Sequence, residues 1–374
     1  MNHTTANTSH DPLHDAALPL SLEEVTPQWL SRALGSSFPG VRVASVERDR
    51  ERFGTAASAR FGLSYADRAG HADLPASVYV KGGFDDKWRK RVWQALHQEV
   101  RFYAEIAPEI RAGKVLNLAR CWFHALNDEP QGVLLLEDLT ARGVRFGMNL
   151  ARVSADDVAS VLEQVACLHA QWWGSARLAR LAGWGEPQRV YLKWSFRPRF
   201  WDELAARQHG ELLVRALRDS ATATQALERL WQIMDGTPKT LLHGDLHGGN
   251  VFYERDGRAG LLDWQLCFAG CWAHDMSWII TTAFDVEQRR AHEVDMIRHY
   301  LGALRARLGT RGDSAPSFDQ AWLLHRQNMA HAAVSYGAAP SDADKPEIVH
   351  GSALRAFQAA VDHDVLQALA QAPA

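Results

Sequence analysis

The segment LLHGDLHGGNVFYERDGRAGLLDW, residues 241–264, constrains the fold most, because it places a hairpin signal between acidic and amide side chains. Residues 251–253 predict a short strand, Asp256-Gly257 is a strong hairpin-turn signal, and residues 260–262 predict the return strand. A hairpin folds the chain back on itself, so Asn250 and Asp263 should lie side by side at its open end. Oxygen ligands that converge beside another carboxylate, Asp245, predict a divalent-cation site, for which Mg²⁺ is the best candidate.

The bulk composition excludes several classes of protein. A chain of 374 residues can bury a substantial core and is expected to form two lobes or domains. The formal net charge of −3 argues against a dedicated nucleic-acid binder, because there is no basic excess to neutralise phosphates. No apolar run approaches the roughly 20 residues that span a bilayer, so no membrane segment is expected. The amino-terminal residues lack a secretory pattern, and a cytoplasmic location is the default expectation.

The order of predicted elements is a β-rich first third followed by a helical remainder, which indicates an α+β fold. Residues 1–20 are polar and unpatterned, and we interpret them as a flexible tail. Thr26-Pro27 predicts the start of a helix that ends at Gly35. Strands are expected in VRVASVE, SARFGLSY and ASVYVK, followed by a helix at about 87–106 and two strands in LARCWFHAL and GVLLLEDL. From Ser154 onward helices predominate, interrupted by the hairpin.

The predicted helix at 87–106 carries one carboxylate on its apolar side. Its buried stripe, at helical spacing, consists of Val92, Leu96, Tyr103 and Ile106. Glu99 falls inside this stripe, whereas Glu105 falls on the opposite face. An unpaired buried carboxylate costs several kcal/mol, so Glu99 should have a cationic partner, and Lys81 at the end of VYVK is the candidate. The alternative is that Glu99 lies solvated at the edge of the stripe.

The strand VYVK combines an aromatic ring with this lysine. Tyr79 and Lys81 point to the same face, because side chains alternate along a strand. A ring beside a cation held by a glutamate suits a nucleotide, since the ring can stack on the base and the ammonium can bind phosphates. Ordinary packing in the sheet is the alternative for Tyr79.

The motif HGDLHGGN has the spacing H-x-D-x-x-x-x-N of a kinase catalytic loop, with Asp245 and Asn250 five residues apart. In that mechanism the Asp accepts or orients the proton of the substrate hydroxyl, and the Asn binds a metal ion. A second Asp after a β-hairpin, here Asp263, bridges the metal ion and the phosphates. The motif therefore predicts phosphoryl transfer with Asp245 as the catalytic residue.

Two histidines lie within this motif, and another carboxylate follows it in the chain. His243 is expected to support the loop rather than to titrate in the reaction, and His247 receives no role. Asp275, which precedes the helical run MSWIITT, either accepts backbone N–H groups as a structural anchor or is an ordinary helix cap.

Two other functions compete with this interpretation. His243, Asp245 and His247 form H-x-D-x-H with His274-Asp275 nearby, which could bind zinc for hydrolysis. That hypothesis leaves Lys81, Glu99 and Asn250 unexplained. The third hypothesis is a non-catalytic, nucleotide-binding pseudokinase, and the complete set of Lys81, Asp245, Asn250 and Asp263 argues against it.

The order of motifs along the chain resembles that of the aminoglycoside phosphotransferase and choline kinase branch of the protein-kinase-like superfamily. These motifs are Lys81, Glu99, LLLEDL, HGDLHGGN and LLDW. The resemblance covers about residues 40–300, and LLLEDL, LHAQWW and DWQ look most like the ecdysteroid-kinase-like group. It implies a bilobal protein-kinase-like fold, with a small β-rich nucleotide-binding lobe at 21–138 and a larger helical catalytic and substrate-binding lobe at 139–374. It also implies an ATP-dependent, Mg²⁺-using phosphotransferase with the nucleotide between the lobes. The adenine base would contact the backbone of Glu137 and Leu139 and stack on Tyr79.

One segment departs from the kinase pattern, because RERFGTAASAR, where the phosphate-covering loop should lie, contains the single glycine Gly54. The interval between Asp263 and Asp275 is too short for the peptide platform of a protein kinase, so we expect a small alcohol as substrate. Charges of both signs in the C-terminal region disfavour a polycation. A group of tryptophans suggests a largely apolar acceptor, unless they are core residues: Trp172, Trp173, Trp184, Trp194 and Trp201.

Overall fold

The computed structural model describes residues 18–127, 130–338 and 345–371. The chain divides into two compact units, the first running to Glu109 and including Ala119–Arg142, and the second comprising Ile110–Leu118 and the chain from Gly143 onward. The observed division after Arg142 lies close to the expected one after Asp138, but residues 110–118 belong to the second unit. Most of the predicted flexible tail, residues 1–17, lies outside the described residues.

Eleven strands and thirteen helices are present in the described part of the chain. The strands are β1 Arg42–Arg52, β2 Ala57–Asp67, β3 Ser77–Gly82, β4 Asn117–Leu118, β5 Cys121–Leu126, β6 Gly132–Glu137, β7 Arg145–Phe146, β8 Lys239–Leu242, β9 Val251–Tyr253, β10 Ala259–Leu261 and β11 Phe268–Cys271. The helices are α1 Pro27–Gly35, α2 Asp86–Arg101, α3 Ala107–Ala112, α4 Ala155–Trp172, α5 Glu186–Ser195, α6 Pro198–Ala205, α7 Gly210–Leu217, α8 Ser220–Asp235, α9 Ala273–Ala283, α10 Val286–Leu308, α11 Phe318–Ala338, α12 Pro346–Asp362 and α13 Val365–Ala370.

The first unit is built on a five-stranded antiparallel sheet of order β1-β2-β3-β6-β5. Helix α1 begins as predicted, because Thr26 accepts a hydrogen bond from the Trp29 N–H at 3.2 Å and Pro27 occupies the first turn. Its apolar face, including Leu30, packs into the same core as Val78 and Val80 of β3. Helix α2 continues through a π-helical turn, Phe102–Ile106, so the predicted helix at 87–106 is present with one irregular turn.

The segment LARCWFHAL, expected as one strand, is divided between two sheets. Residues Cys121–Leu126 form β5 at the edge of the first sheet, whereas Asn117–Leu118 form β4, which pairs in parallel with β10. The Asn117 side chain also donates to the Ala259 carbonyl at 3.2 Å. The expected strand is therefore present from Cys121 onward, whereas Leu118 pairs with β10, about 140 residues later in the chain, which no local pattern reveals.

The second unit is mostly helical and contains two small sheets, of order β4-β10-β9-β7 and β11-β8. Ser154 caps α4 in a capping box with Asp157, in agreement with the predicted change to helix at this residue. The short strands β7, β8 and β11 were not predicted, since each has only two to four residues. The observed β-rich and helical units confirm the α+β class.

Among the described residues, no helix combines the length and the apolarity needed to cross a bilayer.

Candidate active site

The first predicted group of site residues begins on β3, whose side chains alternate between two environments. Val78 and Val80 are fully buried, whereas Tyr79 and Lys81 are half-buried on the opposite face. Lys81 lies opposite Ser58 on β2 and Leu134 on β6, so the regular register of the sheet fixes its position. The predicted shared face of Tyr79 and Lys81 is therefore present.

Lys81 forms the expected ion pair with Glu99. The Lys81 Nζ atom lies 2.7 Å from Glu99 Oε2, and the side chains are only 15% and 3% exposed. Glu99 lies near the C-terminal end of α2, beyond an irregular backbone conformation at Val92. A buried pair of this kind strongly penalises the loss of one partner, so Glu99 restrains the lysine ammonium group.

The predicted nucleotide-base contacts lie where β6 ends. The Glu137 backbone N–H donates to the Arg120 carbonyl at 2.8 Å, and its carboxylate accepts from the Arg120 N–H and from the Arg142 side chain. Leu139 is buried and begins a short 3₁₀ turn, Leu139–Arg142. Because the Glu137 N–H is already used, a base contact at Glu137 would have to use its carbonyl oxygen.

Asp138, between these two residues, was missed by the sequence analysis. Its buried carboxylate accepts hydrogen bonds from the Ser77 hydroxyl at 2.6 Å and from Arg60 Nε at 2.7 Å. Burial tends to raise the pKa of Asp138, but the Ser77, Thr140 and Arg60 hydrogen bonds outweigh it and the net shift is downward. Asp138 thus fixes the start of the segment that follows β6. The signal in the sequence for this role was an acidic residue, Asp138, that follows the run LLLE at the end of β6.

The segment RERFGTAASAR forms the end of β1, a turn at residues 53–56 and the start of β2. Phe53 at this turn is 68% exposed. The assignment of this turn, with Gly54, as the phosphate-covering loop stays a prediction.

The second group of site residues lies on the loop after β8, and Gly244 determines its path. Gly244 has φ +86°, and a Cβ atom there would lie 2.0 Å from the Leu266 carbonyl oxygen. Only glycine fits this conformation and this contact. The chain therefore turns sharply just before Asp245, whose side chain is about one-third exposed.

Asp245 and Asn250 are joined through the backbone. The Asn250 Nδ2 group donates to the Asp245 carbonyl at 2.9 Å, and the His247 N–H donates to the same carbonyl at 3.1 Å. Because this bond uses the amide nitrogen of Asn250, its Oδ1 atom faces the other way and remains an oxygen ligand. This orientation fits the predicted role of Asn250 in binding a cation.

His243 supports the loop. Its Nδ1 accepts from the Asp245 N–H at 3.3 Å, so the proton is on Nε2, which donates to the Leu262 carbonyl at 2.7 Å. Burial lowers the pKa of His243, although Asp275 and the Leu262 carbonyl act in the opposite direction. A neutral His243 thus links the catalytic loop to the residue before Asp263, in agreement with the expected supporting role.

Asp275 anchors the same loop. Its two carboxylate oxygens accept from the His243 N–H at 2.7 Å and from the Gly244 N–H at 2.9 Å. Burial raises the pKa of Asp275, but the hydrogen bond and charge of His169, with nearby His274, outweigh this and hold it at about 2. Asp275 lies inside the first turn of α9, where Trp272 is the N-cap residue, so the anchor interpretation fits and the cap interpretation does not.

The hairpin brings Asp263 beside Asn250. Val251 pairs with Leu261, and the Leu262 N–H donates to the Asn250 carbonyl at 2.8 Å, so Asp263 follows one residue beyond this pair. Asp263 adopts φ +61°, a strained conformation for a non-glycine residue that often marks a functional site. The donor set of one amide oxygen and one carboxylate suits Mg²⁺.

The zinc hypothesis receives no support from the geometry. Both ring nitrogens of His243 make hydrogen bonds within the loop. Within the described ranges, the one group with metal-ligand spacing is Glu293, His325 and His363, in another part of the unit. In that group the Arg289 guanidinium lies 2.7 Å from the Glu293 carboxylate and provides its positive partner in place of a metal ion.

The tryptophans predicted near a pocket wall are mostly core residues. Trp172, Trp173, Trp184 and Trp201 are buried, and Trp172 is completely covered. Their burial favours the alternative that these four are core residues. Trp194, on α5, is 41% exposed and stays a candidate.

The structure therefore assembles the predicted residues into two groups. The first unit contains Tyr79, Lys81, Glu99, Glu137 and Leu139, and the second contains His243, Asp245, Asn250, Asp263 and Asp275. The β-rich unit carries a lysine–glutamate pair. The helical unit carries an H-x-D-x-x-x-x-N loop and an aspartate that follows a hairpin. Together these features define a protein-kinase-like phosphotransferase that acts on an alcohol group.

Comparison with known proteins agrees with this class. The chain matches the family model of the phosphotransferase enzyme family (APH) over residues 84–344. This match covers well over half of the chain, which therefore belongs to that family, as the motifs predicted. The finer resemblance to the ecdysteroid-kinase-like group stays a prediction. No curated protein matches the chain.

Solved structures with similar folds include a protein assigned as an aminoglycoside phosphotransferase from Ralstonia eutropha, with 12% identity, coverage of 90% of this chain and 97% of the other, and a TM-score of 0.50. Choline kinase LicA from Streptococcus pneumoniae has 13% identity, coverage of 90% and 98%, and a TM-score of 0.47. Plasmodium vivax ethanolamine kinase has 12% identity, coverage of 84% and 81%, and a TM-score of 0.45. At these identities the similarity concerns the fold and not the substrate.

Proposed function

We propose that the protein is an ATP-dependent small-molecule kinase that transfers the γ-phosphate to a hydroxyl group of a small, largely apolar alcohol. The observation that carries this proposal is the arrangement of the catalytic loop, in which Asp245 and Asn250 are joined by a hydrogen bond and Asp263 follows the paired end of the hairpin. Phosphoryl transfer depends on positioning and charge stabilisation, and a rigidly held set of oxygen ligands serves both.

Asp245 is the proposed catalytic residue. Its carboxylate is accessible, whereas its backbone N–H and carbonyl are fixed by His243, His247 and Asn250. A fixed backbone with an accessible carboxylate suits a group that orients the attacking hydroxyl and accepts its proton.

Lys81 and Tyr79 are the proposed nucleotide contacts in the first unit. Lys81 would bind the α- and β-phosphates while Glu99 keeps its ammonium group in place. Tyr79, on the same face of β3, would stack on the base, and the backbone at Glu137 and Leu139 would contact the edge of the base.

Asn250 and Asp263 are the proposed ligands of Mg²⁺. The metal ion would neutralise charge that develops on the phosphate oxygens. The protein's contribution is to hold the Asn250 amide oxygen and the Asp263 carboxylate ready, since the Asn250 nitrogen is tied to Asp245 and Asp263 is fixed after the paired hairpin.

The lining of a small cavity in the second unit bears on the charge of the acceptor. The cavity is lined by Gly185, Gln188, Arg189, Leu192, Trp231, Met234, Phe268, His274 and His331. Phe268 and His274 also contact Gly244, which places the cavity beside the catalytic loop. These lining residues, all in the described chain, include no carboxylate, and the one arginine forms a two-bond ion pair with Asp235. A lining without a carboxylate disfavours a polycation.

The test is an ADP-release screen with hydroxylated compounds, using wild-type protein, Asp245→Asn and Asp256→Asn. Asp256 is an exposed aspartate at the far end of the same hairpin, so it controls for the loss of a carboxylate. We expect Asp245→Asn to bind ATP normally and to lose several orders of magnitude in kcat, and Asp256→Asn to match the wild type.

Three results would contradict the proposal. Near-normal turnover of Asp245→Asn would remove Asp245 as the catalytic residue. Nucleotide binding without turnover of any alcohol would favour the pseudokinase, and activity that survives Mg²⁺ withdrawal but follows bound zinc would favour the hydrolase.

A further inference from the structure

The catalytic loop is contacted by a segment that belongs to none of the recognised motifs. Residues 147–151 lie between β7 and α4, and the Asn149 Oδ1 atom accepts a hydrogen bond from the Gly249 N–H at 3.1 Å. Gly249 precedes Asn250, the proposed metal ligand, and is 100 residues from Asn149 in the chain. No spacing rule links Asn149 to the loop, so no role for it could be predicted from the sequence.

The same Gly249 N–H has a second acceptor inside the loop. His247 Nδ1 also lies 3.1 Å from the Gly249 nitrogen. Because Nδ1 accepts this bond, the proton of His247 is on Nε2, which faces Asp245 Oδ2 at 3.7 Å. One backbone N–H is thus shared between Asn149 and a histidine that also faces the proposed catalytic carboxylate.

The two segments are also in close backbone contact, which makes Asn149 part of a fixed arrangement. The Gly147 N–H donates to the Val251 carbonyl at 2.8 Å, and a Cβ atom on Gly147 would lie 2.2 Å from the Gly248 carbonyl oxygen. The next residue after Asn149, Leu150, has φ +62°. A glycine contact on one side and a residue with positive φ on the other restrain the backbone around Asn149.

We infer that Asn149 is a positioning residue for phosphoryl transfer, which holds the Gly248–Asn250 turn through the Gly249 N–H so that Asn250 presents its oxygen to the metal ion. This inference rests on the proposed function. His247 is the second acceptor of the same N–H, and the Asn250 side chain is tied to the Asp245 carbonyl. The two acceptors together couple the position of the metal ligand to that of the catalytic residue.

The test uses the full-length chain and does not need the natural acceptor. Binding of AMP-PNP is measured as a function of Mg²⁺ concentration, with ADP release from ATP as a second readout, for Asn149→Ala, Asn149→Asp and Asn117→Ala. Asn117 is a matched control, because it is a half-buried asparagine in the same unit whose side chain also makes one hydrogen bond to a distant backbone group. Asn149→Asp keeps an acceptor oxygen at the same position.

We expect Asn149→Ala to require several-fold more Mg²⁺ for half-maximal AMP-PNP binding and to release ADP about 10- to 100-fold more slowly, the cost of a small misplacement of a catalytic group. Asn149→Asp should restore most of both quantities, and Asn117→Ala should match the wild type in both. The double variant Asn149→Ala/His247→Ala should lose more than the product of the single effects, because the Gly249 N–H then loses both acceptors.

The inference is overturned if Asn149→Ala behaves like Asn117→Ala, or if Asn149→Asp is as impaired as Asn149→Ala. Failure of the proposed function gives a different result, since the wild type itself would then show no Mg²⁺-dependent AMP-PNP binding. Thermal unfolding of each variant separates a positioning effect from loss of the fold, because Asn149→Ala and Asn117→Ala should unfold at similar temperatures.

Discussion

The two units of this phosphotransferase position their site residues by different physical means. In the first unit, Lys81 and Glu99 lie on a regular strand and a largely regular helix, and the periodicity of each element aims the side chain. In the second unit, Asp245 lies on a loop with no periodicity, whose backbone N–H groups donate to buried acceptors such as the Asp275 carboxylate. A regular strand or helix keeps its geometry when one side chain is changed. A loop that is held by a few individual hydrogen bonds depends on each of those bonds.

The backbone itself shows the same contrast. Around the catalytic loop, Gly244 and Asp263 both have positive φ angles, and Gly244 packs directly against the Leu266 carbonyl. On β3, Tyr79 and Lys81 pair in unbroken antiparallel register with both neighbouring strands. Variants that alter one atom of the loop should therefore reduce turnover or stability more than variants that alter a charge on the regular elements.

The largest effect is expected for Gly244→Ala. The added Cβ atom would lie 2.0 Å from a backbone oxygen, so the loop must move, and the positive φ angle adds strain of about 1–3 kcal/mol. We expect turnover to fall at least 100-fold, on the order of what misplaced catalytic groups cost. The control is Gly257→Ala in the hairpin turn, which has φ +83° but no atom within 4 Å of the added Cβ. It should lose stability through strain alone and keep its turnover; equal turnover in the two variants would contradict the close-contact explanation.

The next effect is expected for Asp275→Asn, which removes one acceptor from the buried anchor. An asparagine would place an NH₂ group against the His243 or Gly244 N–H, and the unfolding free energy should fall by about 2–4 kcal/mol. Chemical denaturation measures this change. Asp219→Asn is the control, because Asp219 is an exposed N-cap residue of α8 and asparagine caps helices equally well. Similar denaturation midpoints for both variants would show that Asp275 is not an anchor.

A smaller effect is expected for Glu99→Gln in the first unit. Glutamine keeps a hydrogen-bond acceptor for Lys81 but loses the charge, so the ammonium group is held less firmly and the KM for ATP should rise about 10-fold. Glu105→Gln is the matched control, since Glu105 lies on the other face and pairs with Arg101 at 2.8 Å in a partly exposed i,i+4 bridge. If Glu99→Gln leaves the KM for ATP unchanged, the ion pair does not position Lys81 for the nucleotide.

The same contrast explains what could be predicted from the sequence. The Lys81–Glu99 pair, the shared face of Tyr79 and Lys81, and the hairpin all follow from local periodicity and turn chemistry, and they are present in the structure. The parallel pairing of β4 with β10 and the contact of Asn149 with Gly249 join residues that are 100 or more positions apart. Such pairs carry no local signal, so the missed parts of the fold and of the site are those fixed by long-range contacts.

Asp138 and the four buried tryptophans illustrate the limits of composition and of motif order. Asp138 received no role in the sequence analysis, although it is buried and accepts hydrogen bonds from Ser77 and Arg60. Trp172 and its neighbours were considered as pocket walls because they cluster in sequence, whereas their burial favours the alternative that they fill the core. In each case the deciding quantity was solvent exposure, which depends on packing partners from elsewhere in the chain.

The smallest effect concerns the pH dependence of stability, and it compares a buried histidine of the second unit with a half-buried histidine of the first. Burial, with His274 and Arg189 nearby, holds the pKa of His331 well below 6.5 in the folded second unit, and burial lowers the pKa of His97 in the first unit by a lesser amount. Below pH 6.5 the unfolded chain binds a proton that the folded chain does not, so stability is full above this pH and is lost on acidification. Each such histidine contributes at most about 1.4 kcal/mol per pH unit to this loss.

Replacing His331 with Phe should therefore reduce the loss of unfolding free energy between pH 7 and pH 5 more than replacing His97 with Phe. Urea denaturation at the two pH values measures both differences, and each variant is compared with its own stability at pH 7, so a packing change from the larger ring cancels. His331→Leu provides a second apolar replacement in case the phenyl ring does not fit. A larger reduction in the His97 variant would contradict this prediction. Buried histidines of the second unit would then not dominate the loss of stability in acid, and the two units would differ only in how the catalytic loop is held.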